Sequence, residues 1–204
     1  MDRLIAQYAA TLSRLIAAAE ATRLGGAALP LGQAFTEVIA ALRATAAAGN
    51  KLMFIGNGGS AGIASHSAID YSKNGAMPAL AFNDSAALTC LGNDYGYDSV
   101  FSRQIEMHAR PGDLLIALSS SGRSLNILRA VDAARGRGCG VLTLSGFCRA
   151  NPLRSTGDVN LYVASDQYGF VELTHQSLIH AILDMAMGWQ GQVHADEDTP
   201  AASE

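Results

Sequence analysis

The chain has 204 residues, 49% hydrophobic and 16% charged, with a net charge of −4. This balance excludes a disordered chain and a general nucleic-acid binder, and the length suits one α/β domain. No uncharged apolar run approaches the roughly 20 residues of a membrane span, no leader segment is evident at Met1-Asp2-Arg3, and Cys90, Cys139 and Cys148 lack CxxC spacing, so a cytoplasmic protein with reduced thiols is expected.

Residues 2–22 place Leu4, Ile5, Tyr8, Leu12, Leu15 and Ile16 at three- and four-residue steps, which predicts one long amphipathic helix broken at Gly25, Gly26 and Pro30. A second helix fits 32–48, with Phe35, Val38, Ile39 and Leu42 on one face, ending at Gly49-Asn50. Such a pair covers either its own sheet or a neighbouring subunit. The second is favoured, because helices that precede the first strand are only loosely tied to the sheet.

After Gly49 the chain alternates. Strands are expected at 51–55, 79–82, 113–118, 140–144 and 159–163, and helices at 60–72, 85–92, 98–108, 124–137 and 170–189. This βαβα rhythm predicts a doubly wound parallel sheet covered on both faces, within a single domain spanning 1–193. Ligands of such sheets bind at the carboxyl ends of the strands. The small, acidic stretch 194–204 reads as a frayed tail.

Two loops at those strand ends carry anion chemistry. Phe54-Ile55 runs into Gly56-Asn57-Gly58-Gly59-Ser60, which is neither a Walker motif nor GxGxxG. Its glycines let backbone amides approach an anion, and the following helix presents its positive end. Leu114 to Leu118 runs into Ser119-Ser120-Ser121-Gly122-Arg123-Ser124, whose hydroxyls and amides converge on phosphate oxygens without a lysine. The plainer alternative is a turn with Ser124 as an N-cap. His66 and Asp70 are four apart on one helical face, and Glu172, His175 and His180 lie on a final helix that lacks Lys and Arg. On a helical wheel Glu172 falls roughly 60° from His175 and 80° from His180. Polar groups on so apolar a helix usually have an assignment.

The stretches GNGGSAGIASHSAID (56–70), LGNDYGYDSVFSRQIE (91–106), LSSSGRSLNIL (118–128) and VELTHQSLIHAI (171–182) together resemble the phosphoheptose isomerase group of the sugar isomerase (SIS) domain superfamily. The resemblance covers nearly the whole chain. It implies a homotetramer with active sites shared between subunits, converting sedoheptulose 7-phosphate to D-glycero-D-manno-heptose 7-phosphate, a precursor of bacterial surface polysaccharide. It implies a phosphate loop at Ser119, Ser120, Ser121 and Ser124, substrate contacts from Asn57, Gly58, Ser60, Asp94 and Glu172, and a metal-and-catalysis set of His66, Asp70, Glu172 and His180. Asp70 stands where the family has Glu, Glu172 where it has Gln, and Asn74 where it has Arg.

Aldose–ketose isomerisation moves a proton between C1 and C2 through an enediol. Asp70 is the expected base and His180 its acid–base partner. A divalent ion, Zn²⁺ foremost, would balance two carboxylates beside two neutral histidines, although Mn²⁺, Fe²⁺ and Ni²⁺ suit the same ligand types. Two other readings stand beside this one. The first is an isomerase of another ketose phosphate, motivated by the three departures. The second is a non-catalytic sugar-phosphate-binding regulator of the replication-initiation type, disfavoured because both histidines and two carboxylates remain.

Overall fold

Short apolar runs flanked by turns build the centre of the sheet. The computed structural model describes residues 1–191, so the expected tail at 194–204 lies outside the described residues. Five parallel strands, β3 (Leu52–Ile55), β4 (Ala79–Ala81), β5 (Leu114–Ser119), β6 (Gly140–Ser145) and β7 (Val159–Tyr162), follow the expected positions. β3 and β5 are buried along their whole length, as uninterrupted Leu/Met/Phe/Ile runs require when helices cover both faces.

The helices are α1 (Asp2–Ala17), α2 (Leu31–Ala47), α3 (Gly59–Lys73), α4 (Ser85–Tyr95), α5 (Val100–His108), α6 (Leu125–Gly136) and α7 (Tyr168–Ala186). Alternate strand residues point to opposite sides. Leu52, Phe54, Leu114 and Ile116 join a core with α2, α3 and α7, whereas Met53, Ile55, Leu115 and Ala117 join one with α5 and α6. The expected doubly wound sheet is therefore present. No helix among the described residues is long and apolar enough to cross a membrane.

Two sequence expectations need correction. The first helix stops at Ala17 rather than near residue 22, and Glu20–Arg23 forms strand β1, which pairs antiparallel with β7 and with the two-residue β2 (Ala28–Leu29). The full order is β2-β1-β7-β6-β5-β3-β4. Alanine-rich sequence favours helix locally, but the open edge of β7 wins. β1 satisfies that ladder, and Glu20 ion-pairs with Arg149 and, at 2.6 Å, with Arg154. The helical pair also divides. α2 packs on its own sheet through Ala34, Val38 and Leu42, while α1 buries only Leu15 and leaves Leu4 and Ile5 each 62% exposed.

Helix α7 is seated on the sheet partly through His175. It is fully buried, and its Nε2 donates to the Ser145 carbonyl oxygen at 3.1 Å. Sequence spacing groups His175 with Glu172 and His180, whereas the structure turns it inward, away from both. Burial pushes its imidazole from the usual 6.5 down to about 4, against a smaller opposing effect of the Ser145 bond. As pH falls, the unfolded chain therefore binds the proton first. Stability should be complete above about pH 6.5 and decline towards pH 4, by roughly 3 kcal/mol from this group. Urea unfolding at about pH 7 and pH 4.5 should show a larger loss for wild type than for His175→Gln, and equal losses would remove His175 from the acid response.

Candidate active site

β3 and β5 are neighbours in register, Leu52 beside Leu114 through Ile55 beside Ala117. From β3 the chain goes out to β4 on one side, and from β5 it continues to β6 and β7 on the other. The crevice between them is thus the topological switch point of the sheet. The glycine loop leaves β3 and the serine loop leaves β5, and they face each other across a cavity of about 250 Å³. Asn57, Gly58, Ser60, Ser119, Ser120, Ser121, Ser124 and Glu172 all line it, with Gly59, Leu118 and Tyr168.

Both helices that start at this cavity lack side-chain caps. α3 begins after Gly58, whose φ of 53° suits glycine, and no side chain accepts from its first turn. α6 begins after Ser124, which occupies the cap position in extended conformation, yet its hydroxyl makes no capping bond. That hydroxyl lies 3.4 Å from Ser119 Oγ instead. The plain-turn alternative, with Ser124 as a side-chain cap, is therefore not what forms. α3 opens on this space at Gly59 and Ser60, and Ser124 brings the start of α6 to it, so the positive ends of two helices border one cavity. Ser120 adds a buried hydroxyl with no hydrogen-bond partner among the described residues. Ser67 and Thr174 share that condition, but Ser120 alone of these three borders the cavity. A ligand oxygen there would relieve a penalty of about 1–3 kcal/mol.

Further along α3 and α7, His66, Asp70 and His180 form a tight cluster. His66 Nε2 lies 3.1 Å from Asp70 Oδ2 and 3.1 Å from His180 Nε2, and His180 Nε2 lies 3.6 Å from Asp70 Oδ2. Ligand atoms of a tetrahedral zinc site stand about 3.3 Å apart, given bonds near 2.05 Å. The three residues therefore fit a divalent cation as they stand. The seam is fixed by Tyr71, which donates from its buried hydroxyl to the Ile179 carbonyl at 2.9 Å, each residue adjacent in sequence to a cluster member.

Glu172 does not join this cluster. Its carboxylate lies against Gly59, where any added Cβ would collide with it. It precedes His180 by two turns, or about 12 Å along the helix. Asp94, at the end of α4, is exposed and does not line the cavity of this chain. It accepts from Asn93 Nδ2 at 2.9 Å.

A SIS-domain family model matches residues 7–146. The phosphoheptose isomerase of Rhodospirillum rubrum is 41% identical over 166 residues, which is 78% of this chain and 86% of that protein. The chain belongs to the phosphoheptose isomerase family of SIS-domain proteins. Two solved phosphoheptose isomerases share its fold. The one from Neisseria gonorrhoeae has a TM-score of 0.75 at 30% identity, with 91% of this chain and 98% of that chain covered. The one from Francisella tularensis has a TM-score of 0.75 at 26% identity, covering 91% and 96%. Membership in this family makes the chain an enzyme of the isomerase type.

In this SIS chain, several residues at the site escape sequence reasoning. Asn126 and Tyr97 hydrogen-bond Asn57, and Asn151 buttresses the serine loop. Gly122 has a φ of 62°, and a Cβ there would strike the Asn151 side chain, which is held by Gly146 and Cys148 carbonyls at 3.1 and 2.8 Å. Gly56 is equally constrained, since a Cβ would lie 2.5 Å from the backbone of Ser60. Gly56→Ala should therefore destabilise the protein by about 2 kcal/mol in urea unfolding. Gly62→Ala, which meets open space in α3 just beyond the loop, should be neutral or stabilising by up to about 1 kcal/mol. Equal effects would mean that the glycine loop is not sterically set.

Proposed function

We propose that this chain interconverts sedoheptulose 7-phosphate and D-glycero-D-manno-heptose 7-phosphate. One observation carries the reading. The anion cavity and the His66–Asp70–His180 cluster sit at two levels of the same helix pair, α3 and α7, roughly 10–12 Å apart along the axes. That spacing suits a long sugar with phosphate at one end and a reacting carbonyl at the other. The similar proteins are named phosphoheptose isomerases, which supports a heptose phosphate as the substrate.

In this reading Ser119, Ser120, Ser121 and Ser124, with the amides opening α3 and α6, hold the phosphate. Asn57, Gly58, Ser60 and Glu172 meet neighbouring sugar oxygens. Asp94 serves a substrate site completed by another subunit. His66, Asp70 and His180 would hold a divalent ion, Zn²⁺ by ligand chemistry, and Glu172 is assigned to substrate because its carboxylate sits two turns away. When bound, the ion polarises the carbonyl and stabilises developing negative charge on oxygen.

The chain's own groups move the protons. Asp70 takes the C1 proton of the ketose while His180, through the ring nitrogen not engaged by the ion, gives its proton to O2, giving the enediol. His180 then receives the O1 proton, and Asp70 returns its proton to C2, giving the aldose. Asp70 acts in this way with the oxygen not engaged by the ion. The intact histidine–carboxylate cluster favours catalysis over a binding-only regulator. Exposed Leu4, Ile5 and Ile69, on α1 and α3, favour the homotetramer, and a single chain mass in light scattering would contradict it. Unpaired Cys90, Cys139 and Cys148 favour a reducing, cytoplasmic setting.

The purified enzyme with added zinc should turn over sedoheptulose 7-phosphate in preference to five- and six-carbon ketose phosphates. A clear preference for a shorter sugar would retire the heptose assignment. His180→Ala should lower kcat at least about 100-fold and carry much less metal than wild type. Equal metal in both proteins would remove His180 from the ligand set.

A further inference from the structure

Asn126 lies in the first turn of α6, two residues after Ser124, and is only 3% exposed. It does not line the cavity. Its carboxamide is bonded head to tail with that of Asn57. Asn57 Nδ2 donates to Asn126 Oδ1 at 2.9 Å, and Asn126 Nδ2 donates to Asn57 Oδ1 at 2.9 Å. Tyr97 Oη donates to the same Asn57 Oδ1 at 3.0 Å. Two reciprocally bonded amides lie close to one plane, and neither turns without breaking both bonds. The pair also ties the loop after β3 to the helix after β5, across the switch point. A buried carboxamide left unpaired is costly, so each amide holds the other in place.

We infer that Asn126 is a positioning residue. With Tyr97, it fixes the carboxamide of Asn57 so that the Nδ2 hydrogen not used by Asn126 meets a substrate oxygen. The inference rests on the sugar-phosphate reading of the cavity. Asn126 acts on substrate only through Asn57, and Tyr97 acts by the same route from the far side of Oδ1.

The test is a double-mutant cycle. Binding of sedoheptulose 7-phosphate by calorimetry, kcat/KM and melting temperature are measured for wild type, Asn57→Ala, Asn126→Ala and the double variant. Asn126→Ala should weaken binding about tenfold, Asn57→Ala at least as much, and the double variant no more than Asn57→Ala alone. Additive losses overturn the proposal. If Asn126→Ala fails to fold, Tyr97→Phe, at a residue 60% exposed, supplies the second cycle with the same criterion. NMR relaxation of the Asn57 side-chain amide needs no ligand. It should report a rigid group in wild type and a mobile one in Asn126→Ala or Tyr97→Phe, and equal rigidity would overturn the proposal. Failure of wild type to bind the sugar phosphate would instead refute the functional reading, leaving the relaxation data to decide the positioning role.

Discussion

Two neighbouring parallel strands set the geometry on which the site depends. Because β3 and β5 lie side by side while their chains leave in opposite directions, the loops after them open on one crevice. Each loop ends in a helix whose first amides have no side-chain acceptor. An anion at that point would face two positive helix ends and a shell of hydroxyls, and among the described residues no Lys or Arg lines the cavity. The fixed dipoles are supplied by the backbone, so binding charge here does not require ordering long cationic side chains. The steric limits at Gly56 and Gly122 hold both loops close to that space.

The second element is the seam between α3 and α7. α3 carries the glycine loop at its start and His66 and Asp70 further on, and α7 carries Glu172 near its start and His180 two turns later. Ala64, Ser67 and Ala68 are buried on α3, and the Tyr71 hydroxyl ties that helix to α7 through the Ile179 carbonyl. The packing that brings the two histidines to 3.1 Å thus also fixes their distance from the cavity. The histidine–carboxylate cluster and one wall of the loop cavity are thus held on the same pair of helices.

Much of this was legible in the chain. Strands buried on both faces must be apolar runs, so β3 and β5 to β7 stood out, and the glycine spacing and serine run marked the two loops. β1 was not legible, because Glu-Ala-Thr-Arg has no strand pattern of its own and its state is decided by the edge of β7. A helical wheel suggested that Glu172, His175 and His180 act together, but a wheel removes the axial dimension. Glu172 and His180 are two turns apart, and His175 faces the sheet. Asn126 was invisible for a different reason. One asparagine at a helix start is unremarkable until its partner is seen across the crevice.

In the proposed function one substrate bridges the loop cavity and the histidine cluster. The most direct test of this bridging loads the enzyme with paramagnetic Mn²⁺ and measures phosphorus-31 relaxation of bound sedoheptulose 7-phosphate. Strong relaxation is expected, corresponding to a metal–phosphorus distance of no more than about 12 Å, the axial rise between Glu172 and His180. Relaxation indistinguishable from a diamagnetic Zn²⁺ control, with both ligands bound, would contradict it.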